Sequence, residues 1–234
     1  MPRWLGRENI EILAGFCQSR FDGFYQELAA AQKRVDPLRF VEKCEPGPVP
    51  RAIGELYPEC REIVLVRDLR DMVCSIDGYN AKRGFKLWGR DKAGTDAEWF
   101  DHLRREASKL LDCWRLRSET AQLVRYEDLI SEPEQTLTAV LSHAGVSTDA
   151  GIARRMLEED ASQPPKDKRF HQTSDSTEAS VGRWKRDLSP DRVAACSEAF
   201  DDILVEFGYE STATGDAPTV PAFKGFAANE ASIS

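Results

Sequence analysis

Residues Arg61–Ser75 read REIVLVRDLRDMVCS, and they determine which fold class the sequence favours. The run Ile63–Val66 is continuously aliphatic, which is typical of a strand buried on both faces of a parallel sheet. Charged residues follow at once, and apolar residues at helical spacing come after them, so the pattern predicts a strand that passes directly into a helix. Because ligands of open α/β proteins bind beyond the carboxyl ends of strands, Arg67 is predicted to lie at a binding edge.

Arg67 and Ser75 have the chemistry of a phosphate site. A guanidinium group offers a fork of N–H donors, a hydroxyl adds another donor, and the start of a helix has free N–H groups and a positive dipole. An isolated Arg-Asp pair at this place is also typical of a strand end that is simply solvated. The two interpretations can be separated only by what the rest of the chain contains.

The remaining chain alternates short apolar runs with amphipathic helices, which predicts an α/β fold with three layers, a parallel sheet covered by helices on both faces. Strands are expected near Arg39–Glu42, Glu62–Val66 and Gln122–Arg125. The first helix, at about residues 8–33, is predicted to bury one apolar stripe, formed by Ile10, Leu13, Cys17, Phe21, Phe24 and Leu28. The last helix is predicted to begin at Ser189-Pro190 and to bury another, formed by Val193, Cys196, Phe200, Ile203, Leu204 and Phe207.

Length and composition favour one α/β domain over residues 1–209, followed by a disordered tail over residues 210–234, where small and polar residues and proline prevail. The net charge of −8 argues against a nucleic acid as the main partner. No apolar run approaches the length of a membrane span, and the first residues do not resemble a signal peptide, so a cytoplasmic location is expected. The six cysteines have no metal-binding or disulfide spacing, and we expect reduced, mostly buried thiols and no metal.

Four segments, in order along the chain, resemble the sulfotransferases that use 3′-phosphoadenosine 5′-phosphosulfate (PAPS). The pattern V-R-D-x-R-D-x-V-x-S around Arg67 and Ser75 resembles the segment that binds the 3′-phosphate in that family. Phe40–Lys43 resembles the strand that carries catalytic residues, and Val124–Leu129 resembles the Y-E-D-L strand end. Ser180–Trp184 resembles the G-x-W segment that closes over the nucleotide. The resemblance covers roughly residues 39–209 and implies a P-loop-NTPase-like sulfotransferase fold.

The resemblance also implies roles for particular residues. Lys43 would be the catalytic cation, and either Glu42 or Glu45 would be the base that takes the proton of the acceptor. Arg67 and Ser75 would hold the 3′-phosphate, with PAPS as co-substrate. The remaining nucleotide contacts would come from Tyr126, Ser180, Gly182, Arg183 and Trp184. The family's Arg-Lys-Gly is replaced here by Thr177–Ala179, so any second phosphate clamp would need Lys166, Lys168, Arg169 or Arg183.

One family feature is absent from the sequence: a Gly-rich strand–loop–helix, P-x-S-G-T-like, whose backbone N–H groups bind the 5′-phosphosulfate. The expected fold is therefore incomplete at the N-terminus, and a missing N-terminal segment or a second chain would have to supply the loop. Three interpretations stay open. The chain is a sulfotransferase for a hydroxyl or amine of a small molecule or carbohydrate, lipid or protein; it is a non-catalytic nucleotide-binding fragment; or it is an interaction protein with remnants of the motifs.

Overall fold

The computed structural model describes residues 6–37, 39–147, 149–162 and 172–212. The chain forms two compact units, and each unit is assembled from two separate parts of the sequence. The first unit comprises Met1–Val66 and Arg105–Arg169, and the second comprises Arg67–Arg104 and Phe170–Ser234. Residues 213–234 of the predicted tail lie outside the described residues, and a single domain over residues 1–209 stays a prediction.

The described helices and strands follow one another in this order: α1 (Gly6–Ala31), α2 (Pro48–Leu56), β1 (Ile63–Val66), α3 (Leu69–Arg83), α4 (Asp96–Arg117), β2 (Gln122–Arg125), α5 (Tyr126–Ser131), α6 (Pro133–His143), α7 (Ala150–Ser162), α8 (Trp184–Asp187) and α9 (Pro190–Glu206). Within these ranges no helix has the length and apolar character needed to cross a membrane. All six cysteines are free thiols, as predicted, but only Cys74 and Cys196 are buried.

The sheet of the first unit pairs β1 with β2 in parallel, with Ile63 opposite Gln122 and Val66 opposite Arg125. The strands predicted at residues 62–66 and 122–125 are thus confirmed. The prediction that β1 is buried on both faces is wrong, because Val64 and Val66 are buried whereas Ile63 and Leu65 are 39% and 55% exposed. The described chain is a helix-rich α/β structure with a small parallel sheet; three layers and a P-loop-NTPase-like fold stay predictions.

The strand predicted at Arg39–Glu42 is wrong, since residues 39–45 form neither strand nor helix. A strand needs a neighbour to receive its backbone hydrogen bonds. Phe40 instead places its ring against Tyr25 of α1, with 4.5 Å between the ring centroids, and Val41 is 89% exposed. Of the apolar pair that predicted the strand, Phe40 therefore contacts a helix and Val41 is exposed.

Helix α1 is continuous through Gly15 and Gly23, but its predicted inner stripe is wrong. Its contacts with the end of α2 are polar: Gln18 donates to the carbonyl of Leu56, and the Tyr57 hydroxyl donates to Asp22 at 2.9 Å. Four apolar side chains of the predicted stripe are exposed, namely Leu13, Phe21, Phe24 and Leu28. The sequence pattern predicted that α1 packs through its apolar residues. In the structure, polar residues of α1 make the contacts with the end of α2.

The core of the second unit contains α3, α9 and the first turns of α4. Trp99, Phe100 and Phe200 are buried, with ring centroids 5.6 and 5.7 Å apart along this series. The buried stripe predicted for α9 is largely confirmed, since four of its residues are buried within the helix: Cys196, Phe200, Ile203 and Leu204. The predicted start is confirmed as well, because the Ser189 side chain caps α9 by accepting the N–H of Arg192.

Candidate anion site in the second unit

The start of α3 is fixed by Asp68, which is buried and caps the helix by accepting the N–H of Arg70 at 2.9 Å. The Arg70 guanidinium also binds the Asp68 carboxylate with two N–O distances of 2.9 and 2.7 Å. It lies over the Trp184 ring at 4.1 Å from the centroid. Arg70 is therefore held in place by a buried ion pair and an aromatic face.

Asp71 connects α3 to the segment that resembles the nucleotide-closing motif. Its carboxylate is fully buried and accepts the N–H of Gly182 at 2.6 Å and that of Trp184 at 2.9 Å. Burial raises the pKa of Asp71, and the two backbone N–H groups oppose that shift. Gly182 has φ +66, a left-handed conformation that glycine adopts without strain, so glycine allows the turn whose two N–H groups converge on one carboxylate.

Arg67 lies just beyond β1 in the sequence and is half-buried. Its Nη2 donates to the carbonyl oxygen of Ser180 at 2.9 Å. Ser180 is buried, and its hydroxyl donates to the carbonyl of Thr177 at 2.5 Å, which closes a short 3₁₀ turn. Arg67 and Ser180, which lie more than a hundred residues apart in sequence, are thereby brought into direct contact.

Ser75 and Arg183 meet through Thr173. The hydroxyls of Ser75 and Thr173 are 3.3 Å apart, and Arg183 Nη1 donates to both the hydroxyl and the carbonyl of Thr173 at 3.0 Å. The Nε of Arg183 donates to Asp187 at 2.6 Å, which fixes the direction of the guanidinium. Thr173 packs closely on α3: a Cβ added to Gly78 would lie 3.1 Å from the Thr173 Cβ.

The second unit thus brings together all of the predicted nucleotide contacts except Tyr126: Arg67, Ser75, Ser180, Gly182, Arg183 and Trp184. Two guanidinium groups and two hydroxyls, those of Ser75 and Thr173, form a set of donors suited to an anion, and we call these four residues the anion site. Their part in binding a nucleotide stays a prediction. Lys166, Lys168 and Arg169, considered as further cations, lie outside the described residues.

The predicted catalytic residues belong to the first unit, where Glu42, Lys43 and Glu45 are exposed. Glu42 interacts with the Tyr25 hydroxyl of α1. Burial, followed by this interaction with Glu42, raises the pKa of Tyr25 to about 12. Tyr126, also in the first unit, is half-buried at the start of α5. The catalytic roles of Glu42, Lys43 and Glu45 and the nucleotide contact of Tyr126 stay predictions.

Sequence reasoning missed Asp71 and Thr173. Both make contacts across about a hundred residues of sequence, which no local pattern reports. Asp71 does carry a weak signal, because a carboxylate in the apolar first turns of a helix must find donors if it is buried. Within the described ranges, no group of three or more histidine, cysteine, aspartate or glutamate residues could hold a metal ion.

Comparison with known proteins relates this chain to enzymes that transfer sulfuryl groups. Residues 48–150 match the model of a sulfotransferase family. Human carbohydrate sulfotransferase 1 is 26% identical over 161 residues, covering 65% of this chain and 39% of that protein. The rat carbohydrate sulfotransferase 1 is 26% identical over 157 residues, covering 63% and 38%. The chain thus spans about two fifths of the length of these curated relatives, and no solved structure matches it.

Proposed function

We propose that this chain, whose residues 48–150 match the model of a sulfotransferase family, binds PAPS and takes part in sulfuryl transfer to a carbohydrate hydroxyl. The proposal is supported by the anion site: within the second unit Arg67 contacts Ser180, and Ser75 and Arg183 both contact Thr173. The carbohydrate acceptor is proposed from the similarity to the carbohydrate sulfotransferases.

The 3′-phosphate of the nucleotide is the group that the anion site suits. It is a compact anion with three acceptor oxygens, and several hydrogen-bond donors can bind it together. Arg67 and Arg183 supply charge, while Ser75 and Thr173 supply hydroxyls that rotate to donate. Helix α3 begins at Leu69, two residues after Arg67, so the positive end of its dipole lies near Arg67.

Binding of a phosphate requires exchange of hydrogen bonds already present. The Arg67 and Arg183 guanidinium groups donate to the neutral carbonyl oxygens of Ser180 and Thr173. A charged phosphate oxygen is a stronger acceptor than a neutral carbonyl, so the exchange favours the anion. Asp71 keeps the backbone at Gly182 and Trp184 attached to α3 during this exchange, which preserves the site.

In the proposed transfer, the acceptor oxygen forms a bond to sulfur while the bond between sulfur and the 5′-phosphate oxygen breaks, leaving adenosine 3′,5′-bisphosphate. Lys43 would balance the charge that develops on the transferred group and the leaving oxygen, and Glu42 would take the acceptor proton. Glu45 is the alternative base. The bond from Tyr25 favours Glu42, because it gives this carboxylate a fixed neighbour.

A second candidate function is nucleotide binding without turnover. It is favoured by the exposed, strand-free setting of Glu42 and Lys43, since catalytic groups are ordinarily held to within fractions of an ångström. The two candidates differ in one measurement, the transfer of labelled sulfur from PAPS to a panel of sugar acceptors. Transfer that is lost in Lys43→Ala supports the enzyme. Nucleotide binding without transfer supports the second candidate.

The binding proposal is tested by isothermal calorimetry with adenosine 3′,5′-bisphosphate and with adenosine 5′-monophosphate, which lacks the 3′-phosphate. We expect the bisphosphate to bind more tightly, and Arg67→Ala to weaken it about tenfold to a hundredfold, because a hydrogen bond to a charged group is worth roughly 1.5–3 kcal/mol. The matched control is Arg83→Ala, which removes the same charge at the other end of α3. Equal affinity for the two nucleotides would refute the 3′-phosphate site.

A further inference from the structure

The loop that follows α3 exposes large apolar side chains among cations. Residues 82–92 read KRGFKLWGRDK, and we call this stretch the basic loop. It has five basic residues and one acidic residue, a net charge of +4 in a chain whose net charge is −8. Phe85, Leu87 and Trp88 are 52%, 36% and 60% exposed. Apolar side chains of this size that are exposed together in one loop call for a physical reason.

The middle of the basic loop is a tight turn that has a tryptophan in an unfavourable conformation. The Arg90 N–H donates to the carbonyl of Leu87 at 3.2 Å, and the two residues between them, Trp88 and Gly89, have φ +59 and +77. Positive φ at both central residues is typical of a type I′ turn, whose first central position favours Asn, Asp or Gly. A bulky side chain is strained in this left-handed region, so tryptophan is a poor residue for the turn.

The surrounding structure holds Trp88 in that conformation. Asn80 of α3 is buried, and its side chain accepts the N–H of Leu87 at 3.0 Å and donates to the carbonyl of Leu87 at 3.3 Å. The buried Trp99 of α4 donates to the carbonyl of Trp88 at 3.0 Å. The Trp88 side chain itself is mostly exposed. Because the fold maintains this strain for an exposed side chain, the strain indicates that Trp88 acts at the surface.

The cations of the basic loop favour an anionic partner. Arg90 pairs with Asp96 at 2.6 Å, so its charge is compensated within the fold. The other four basic residues of the loop are exposed: Lys82, Arg83, Lys86 and Lys92. Asp91 is the acidic residue of the loop. The local charge is thus opposite to that of the whole chain, and it attracts anions to the place where the apolar side chains are exposed.

The size and composition of this surface suit a lipid bilayer better than a protein or a glycan. The three apolar side chains expose roughly 300 Å² together, well below the about 800 Å² per partner of a stable protein interface. A glycan would engage the Trp88 ring and the cations, but it offers no apolar partner to Phe85 and Leu87. A membrane interface accepts all of these groups, because tryptophan and other apolar side chains bind at the level of the headgroups while lysine and arginine bind anionic lipids.

We propose that the basic loop binds the surface of an anionic lipid bilayer, with Phe85, Leu87 and Trp88 among the headgroups and the four exposed cations on the lipid phosphates and carboxylates. Each lysine or arginine near such a surface raises the affinity about fivefold. The tight turn presents Trp88 in one fixed conformation, so little conformational entropy is lost on binding. The inference does not depend on the proposed function, since none of its evidence involves the anion site.

The experiment is cosedimentation of the full chain with lipid vesicles. One set of vesicles is pure phosphatidylcholine, and the other contains about one third phosphatidylserine, which supplies the negative charge. We expect the chain to bind the anionic vesicles at least about tenfold more tightly than the neutral ones. Raising the NaCl concentration to about 0.5 M should weaken this binding, because salt screens the attraction. Equal binding to the two kinds of vesicle would overturn the proposal.

Trp88→Asn separates a role at the membrane from a role in folding. Asparagine adopts positive φ more readily than tryptophan, so we expect the Tm of the variant to equal or exceed that of the parent chain. Its binding to the anionic vesicles should nevertheless fall at least about fivefold, because the interfacial tryptophan is lost. A variant that binds these vesicles as tightly as the parent chain would refute the proposed contact of Trp88.

A pair of charge reversals tests the cations. Lys86→Glu should weaken binding to the anionic vesicles about tenfold or more, because it replaces an attraction by a repulsion within the basic loop. Lys109 is exposed on α4, so Lys109→Glu makes the same change in net charge away from the loop and should have little effect. Equal binding of the two variants would overturn the proposal. Binding to chondroitin sulfate that is lost in Lys86→Glu, without binding to vesicles, would assign the loop to an anionic glycan and also overturn it.

Discussion

The carboxylate of Asp71 attaches the turn at Gly182 to α3 in the second unit. A fully buried carboxylate is costly unless donors surround it, and here two backbone N–H groups serve that purpose. The same two bonds attach the turn at Gly182 to α3, which carries Ser75. One side chain therefore sets the distance between the two halves of the anion site.

Asp71→Asn should disrupt this attachment. An amide of the same shape offers one acceptor oxygen, and its NH₂ group then faces the second N–H donor. We expect the free energy of unfolding to fall by about 1–3 kcal/mol, measured by urea titration, and the affinity for adenosine 3′,5′-bisphosphate to fall as well. The control is Asp77→Asn, which removes a half-exposed carboxylate from the same helix. Equal nucleotide affinity in the two variants would contradict the positioning role.

The interaction between Glu42 and Tyr25 can be tested without an activity assay. The pKa of Tyr25 is raised to about 12 by burial and then by the bond to Glu42, so Glu42→Gln should lower it toward the ordinary value of 10. The tyrosinate absorbance of the variant, compared with that of Tyr25→Phe, reports the change. Glu45→Gln is the control and should leave the titration of Tyr25 unaltered. Because the raised pKa belongs to the folded chain, the stabilisation is complete below pH 10 and is lost as the pH rises through about 12.

At the scale of the elements, arginines connect α9 to its neighbours. Arg192 binds Asp77 of α3 and Asp96 of α4, each at 2.8 Å. Arg104 of α4 forms a two-pronged pair with Asp202 of α9, at 2.7 and 2.6 Å. These pairs surround the aromatic cluster of Trp99, Phe100 and Phe200 and fix the rotation of α9, while the buried aromatic area supplies the main stabilisation.

Asp202→Asn should make stability less dependent on pH. The bond from Arg104 holds the pKa of Asp202 below its ordinary value of 3.8, so its stabilisation is present above that pH and is lost as the pH falls. Because the pair is substantially exposed, we expect a loss of at most about 1 kcal/mol at pH 7 and no difference from the parent chain near pH 2. Urea unfolding at both pH values measures it, with Glu198→Gln as the control. A loss that persists at pH 2 would exclude the ion pair as its cause.

The elements also explain which expectations from the sequence were correct. The stripe of α9 was predictable because its partners are the core itself, so apolar periodicity and burial coincide. The stripe of α1 was not, because Gln18 and Asp22 make the helix contacts and periodicity cannot identify the partner. The strand predicted at Arg39–Glu42 was also wrong because an apolar pattern cannot identify its partner, and Phe40 contacts Tyr25 of α1. The phosphate contact that the spacing of Arg67 and Ser75 indicates stays a prediction, and Thr173 became apparent only from its contact with Ser75 across 98 residues.

Nucleotide binding should raise the thermal stability of the protein. A ligand that binds only the folded chain stabilises it by about 2.7 kcal/mol at a hundred times its Kd. We expect adenosine 3′,5′-bisphosphate at that excess to raise the Tm by roughly 5–10 °C for a chain of this size. Adenosine 5′-monophosphate at the same concentration should raise it less. An equal rise with both nucleotides in the parent chain would mean that the 3′-phosphate contributes nothing.

The interleaving of the two units in the sequence has a consequence for how the protein is made. While a ribosome is still synthesising the chain, β1 cannot pair with β2 until residue 125 has emerged, and Arg67 cannot meet Ser180 until the second part of the second unit has begun to emerge. Long-range pairing of this kind is slow, and the apolar side chains of α3 stay accessible to chaperones in the meantime. Nascent chains truncated before residue 180 therefore lack an anion site whatever helices they have already formed.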